Sequence, residues 1–204
     1  IGGGANSKGV LFEYDYLTNT YDIKHSFNGI DGTEPRGGLI LASNGKLYGT
    51  ATSGGVHGLG TLFEYDLTTG AVTKLIDFDG ANLGSSPWGC IPFQAADGNL
   101  YGMTQVGGLN NEGVIYQYNL TTNVFSKLYD FSSISTGSGP AGTFIEVSPG
   151  VLTATTGGGG ANGVGVLFQF NYTTLSYSKQ FDFQSSLGSN PYNTKLAVIN
   201  YPKL

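Results

Sequence analysis

The chain of 204 residues has only 11% charged side chains, a net charge of −5, and 9 Lys and Arg spread without a cluster. It therefore lacks both the basic stripe that nucleic-acid phosphates require and the cationic face that binds an anionic membrane surface. No apolar run approaches the roughly 18 residues that span a bilayer, so membrane insertion is not expected. A single cysteine, Cys90, excludes an internal disulfide.

The 34 glycines would suggest a disordered chain if they fell without period, but they recur with the strands. The first repeat opens on GGGANSKG and VLFEYD (10–15) and closes at Phe27. The motif returns as TLFEYD (61–66), VIYQYN (114–119) and VLFQFN (166–171), so that Phe12, Phe63, Tyr116 and Phe168 are 51, 53 and 52 residues apart. Pro35, Pro87, Pro140 and Pro191 keep this step, as do Phe27, Phe78, Phe131 and Phe183. A period of this length marks a repeat architecture.

Within the second repeat, turn signals separate four β-rich runs: GLILAS (38–43), KLYGTA (46–51), TLFEYDL (61–67) and AVTKLIDF (71–78). We label them A to D. Asn44-Gly45 predicts a type I′ hairpin between A and B, and Thr68 to Gly70 a short link between C and D. Helix is not expected, because no window keeps a 3.6-residue apolar period. The fold class is all-β: a β-propeller of four repeats, each a four-stranded antiparallel blade, forming one domain over residues 1–204. Repeats two to four supply three complete blades. Residues 1–27 supply strands C and D of a further, composite blade, and residues 194–204 supply its strand A and the start of B. Because the sequence starts inside a repeat, a larger propeller of six to eight blades is expected, with a closed four-bladed ring as the alternative.

KLYGTATSGG, TLFEYD and TGAVTKLIDF resemble a kelch repeat, with Val72, Val124 and Tyr177 where kelch repeats usually carry Trp. Leu47-Tyr48-Gly49-Thr50 with Gly54-Gly55 and Gly60-Thr61-Leu62-Phe63 is similar to the glycine-rich bacterial propeller repeat of the Gloeobacter/Verrucomicrobia type, and so is 157–160 with 165–168. This resemblance covers essentially the whole chain. It implies an exported or cell-surface bacterial propeller, and it transfers no catalytic residue.

The long B–C and D–A connections fall on one end of the scaffold, where binding is expected. The residue after each repeat proline varies: Arg36, Trp88, Ala141, Tyr192. Arg36, Trp88 and Tyr192 are the candidate ligand-binding residues at the channel mouth, where aromatic and guanidinium groups suit a sugar ring or a partner's loop. His57, in a B–C loop, is a further candidate. No cofactor or metal is expected, since His25 and His57 lie far apart and Asp77 with Asp79 offers too few oxygens for calcium. Asp31 and Glu34 are the one close acidic pair in a long loop. Cys90 reads as a small buried residue, and Asn119 and Asn171 as strand-end turn residues. The expected function is a non-catalytic exported or surface module that binds a protein or glycan. A polysaccharide hydrolase or lyase and a structural assembly subunit are the alternatives.

Overall fold

The computed structural model describes residues 2–192 and 194–198. The repeats form consecutive antiparallel sheets, the blades of a propeller. The first blade holds β1 (Val10–Asp15) and β2 (Thr20–Ser26). The second runs β3 (Ile40–Leu41), β4 (Lys46–Ala51), β5 (Thr61–Asp66) and β6 (Val72–Asp77) in sequential order. The third repeats this with β7 (Phe93–Gln94), β8 (Leu100–Thr104), β9 (Val114–Asn119) and β10 (Val124–Asp130). The fourth pairs β11 (Ser138–Pro140) and β12 (Ile145–Ser148) with β13 (Val151–Gly158), followed by β14 (Val166–Asn171) and β15 (Ser176–Asp182).

Strand A is shorter than expected, two residues in the second and third blades. The A–B hairpin also differs from type I′. The Gly45 N–H donates to Ala42 O at 2.9 Å and Gly45 alone takes a positive φ, 79°, so Ser43 and Asn44 keep ordinary backbone. One helical turn, α1 (Ser133–Thr136), stands in the third blade's D–A loop, where no helix was expected. Residues 195–198 form no strand, although Thr194 bridges Gly142. The remainder of the expected strand A, and the start of B at 203–204, lie outside the described residues.

The core lies between blades rather than within them. Phe78, Tyr48 and Leu62 meet Leu100, Tyr116 and Tyr118 at one junction. Tyr101, Ile115 and Phe131 meet Leu152, Phe168 and Phe170 at the next. Burying one such side chain contributes about 1.5–3 kcal/mol. Among the described residues no blade covers the first blade's apolar face, where Phe12, Tyr14, Tyr21 and Ile23 are exposed.

Every C–D pair carries one bulge at the same place, leaving Lys24, Leu75, Leu128 or Gln180 without a partner. Residues three apart on a strand point to opposite faces, and the extra residue brings them back to one. Lys74 thereby reaches Asp77 at 2.7 Å, Lys127 reaches Asp130 at 2.9 Å and Lys179 reaches Asp182 at 2.9 Å. Each Asp also accepts a B–C loop N–H, from Val56, Leu109 or Ala161, at 2.7 Å.

Candidate channel-mouth site

The chain segments that follow the repeat prolines converge. The Ile91 N–H donates to Gly142 O at 2.9 Å, and Thr50 Oγ1 donates to Cys90 O at 2.7 Å. Here Pro35 to Gly38, Trp88, Gly89, Ile91, Gly142, Thr143, Thr194 and Lys195 line a cavity of about 470 Å³. That volume falls within the range of about 300–1,000 Å³ typical of ligand pockets.

Arg36 and Trp88 both line this cavity. Arg36 is oriented by Glu34, whose Oε2 accepts from Nε at 3.2 Å and Nη2 at 3.0 Å. Trp88 is part-buried, and Tyr192 meets it edge-on with ring centroids 6.2 Å apart. The Tyr192 ring lies flat on Gly157, where an added Cβ would overlap it. Tyr192 itself lies outside the cavity lining, and Ala141, at the remaining post-proline position, is buried. Lys195 joins the lining, a residue outside the post-proline position from which the candidates were drawn. Arg36 and Lys195 are the two charged residues of the lining.

His57 lies outside this lining, exposed on a B–C loop. Its repeat equivalents Asn6, Asn110 and Asn162 each donate to the carbonyl of a strand-D phenylalanine, at 3.1, 2.8 and 2.8 Å. That shared bond gives the three asparagines a structural role. The acidic candidates are likewise engaged locally. Asp31 Oδ2 is 2.7 Å from His25 Nε2, while Asp79 accepts from the N–H groups of Asn82 and Leu83. Glu64 accepts from Lys46 and Tyr48, and Gln117 donates to Tyr101. Asn119 and Asn171 each cap their turn by accepting two backbone N–H groups, as Asp15 and Asp66 do. Burial pushes the Cys90 thiol up to about 12, so at neutral pH it stays protonated and is a poor nucleophile.

The pattern of the Gloeobacter/Verrucomicrobia repeat matches residues 1–200. The chain belongs to that repeat family. Among curated proteins no relative matches the sequence. Several solved structures share the fold of this Gloeobacter/Verrucomicrobia repeat protein. TolB from Acinetobacter baumannii is 16% identical over 84% of this chain and 37% of its own, with a TM-score of 0.55. An extracellular domain from B. thetaiotaomicron is 17% identical over 85% of this chain and 20% of that one, at 0.57. The nidogen/laminin complex gives 13% identity, 84% and 58% coverage, and 0.55. The chain therefore spans less than two thirds of each of these structures.

Proposed function

We propose that this propeller is a non-catalytic binding module of an exported or cell-surface protein, and that its channel mouth takes a glycan. The carrying observation is Trp88, a part-buried indole on a concave 470 Å³ cavity that also holds Arg36 and Lys195. A sugar ring offers apolar C–H faces that stack on an indole, and hydroxyls that accept from guanidinium and ammonium groups. The cavity's concavity favours a sugar over the flat contact of a folded protein surface. One fold neighbour is itself an extracellular domain, which supports the localisation by analogy.

Glycan-array screening followed by calorimetry tests this reading. Trp88→Ala should weaken binding of the selected glycan by about 1–3 kcal/mol, in the range of a central aromatic anchor, while leaving the melting temperature nearly unchanged. A sharply lowered melting temperature would instead assign Trp88 to the core. A correctly folded protein that binds no glycan would overturn the proposal.

A further inference from the structure

One backbone turn recurs at the repeat prolines. The residue before the proline takes a left-handed φ in each repeat: 55° at Glu34, 49° at Ser86, 58° at Gly139 and 51° at Asn190. Serine, glycine and asparagine all serve there, so the turn itself does not require an acid. The second repeat alone places a carboxylate before the proline and a guanidinium after it. The Glu34 main chain is pinned on both sides, its N–H donating to Lys8 O at 2.9 Å and its carbonyl accepting from the Thr52 N–H at 3.1 Å. From that fixed point its Oε2 takes Nε and Nη2 of Arg36. A guanidinium carries five donors in a rigid fork, and among the described residues no other acceptor takes those that Glu34 leaves on the Nη1 and Nη2 edge.

Arg36 and Lys195 together exceed Glu34 by one positive charge, whereas the chain as a whole carries −5. The mouth is thus locally positive on a negative protein, and such a reversal favours anions. Beneath it, a second cavity of about 380 Å³ shares Ile91, Thr143 and Lys195 with the first and is otherwise lined by Leu39, Ile40, Phe93, Phe144, Ile145 and Leu196. Hydroxyls would lose water there without gaining partners. A hydroxyl-rich chain therefore lies across the mouth, beside the two cations, rather than down the bore.

We infer that the glycan taken at the channel mouth is acidic, a chain of uronic acids whose carboxylate seats on the Nη1 and Nη2 edge of Arg36 while a sugar ring stacks on Trp88. This selectivity rests on the glycan reading of the same cavity and adds the charge that chooses among glycans. A carboxylate is planar and matches the fork with two parallel N–H···O bonds. Lys195, a point charge, attracts the carboxylate of a neighbouring sugar without fixing its angle.

Calorimetry of the 204-residue protein with oligogalacturonate, oligomannuronate and oligoguluronate, each beside its carboxyl-reduced neutral form, tests the selectivity. At least one acid form should bind about ten-fold tighter than its reduced form, as a bidentate charged pair predicts, and added salt should erode that ratio. Arg36→Gln should bring the two forms close to equal affinity, and Lys195→Gln should lower the ratio by a smaller factor. Arg36→Lys, which keeps the charge but not the fork, should retain only part of it. Trp88→Ala should weaken both forms and leave the ratio in place. Should Arg36→Gln fail to fold by circular dichroism, Lys195→Gln and the salt series carry the test. Equal binding of acid and reduced forms, with Trp88 required, would keep the glycan site and overturn its selectivity for acids. A sulfated dextran that outbinds every uronate chain overturns it as well, because charge density rather than carboxylate geometry would then select. Binding of no glycan in either form overturns the glycan reading itself, and the selectivity with it.

Discussion

Phe12 in the first blade and Phe168 in the fourth hold the same place in their repeats, on strands of nearly the same sequence, VLFEYD and VLFQFN. One is 55% exposed and the other is fully buried. Both strands pair with their strand D through the same bulged register. What separates them is that Phe168 lies beneath Phe131 of the preceding blade, whereas Phe12 has only Tyr21 of its own sheet as an aromatic neighbour among the described residues. Strand pairing follows from local sequence, and burial follows from having a blade on either side.

The largest expected effect breaks this comparison directly. Phe168→Ala should cost about 3–5 kcal/mol, as large-to-small core changes do, while Phe12→Ala in the isolated chain should cost less than about 1 kcal/mol. Urea denaturation of the two variants measures the difference, and equal losses would mean that the first blade is as well packed as the fourth. Next in size is the clasp that the first blade lacks, since Ile23 and Ser26 occupy the places of Lys179 and Asp182. Asp182→Asn should cost about 1–2 kcal/mol, with the partial exposure of the pair keeping it below a buried charged hydrogen bond. Thermal melts with and without high salt check it.

Acid titration sharpens the same contrast. Burial works to raise the Glu146 carboxyl, but the N–H of Gly150, the hydroxyl of Tyr172 and the N–H of Ala96 together hold it below its ordinary 4.5. The Lys179 ammonium and the Ala161 N–H similarly hold Asp182 below 3.8. Because these carboxyls are depressed in the folded state, their contribution is complete above their unfolded values and is lost as pH falls through the folded ones. The melting temperature should therefore be flat between about pH 7 and 5 and fall below about pH 4. Glu146→Gln should reduce that acid sensitivity.

The smallest effect concerns Tyr116, whose fully buried hydroxyl has no hydrogen-bond partner among the described residues. The other repeats place phenylalanine there. Tyr116→Phe removes an unsatisfied polar group and should stabilise the third blade by up to about 1 kcal/mol, measured as a raised denaturation midpoint.

Much of this was legible before any coordinates. Strands B, C and D could be placed almost to the residue, because KLYGTA and TLFEYD combine β-forming residues with turn signals at both ends. Repeat phase also marks the post-proline position that holds Arg36, Trp88 and Tyr192, of which Arg36 and Trp88 line the cavity while Tyr192 stands beside Trp88 outside that lining. Other features were not legible, for physical reasons. A lysine three residues before an aspartate on a strand suggests opposite faces, and only the bulge reveals the clasp. Asn44-Gly45 is compatible with several hairpins, and the hydrogen bond from Gly45 to Ala42 decides among them. Lys195 lies outside the post-proline position, so the variation at that position does not point to it. His57 stands where the other repeats place Asn6, Asn110 and Asn162, whose shared bond to a phenylalanine carbonyl the sequence does not announce.

The loops at the mouth end are held to one another by main-chain atoms. An added Cβ at Gly54, Gly107 or Gly159 would strike backbone of the preceding loop, and the neighbouring N–H groups of Gly55, Gly108 and Gly160 donate to carbonyls there. Such a seam is indifferent to the side chains on either side of it. This main-chain part of the junction is the same at each interior seam, and the residue after each proline varies without altering it. The array thus behaves like a typesetter's forme: the spacing is fixed, and the characters facing the reader can be reset one at a time.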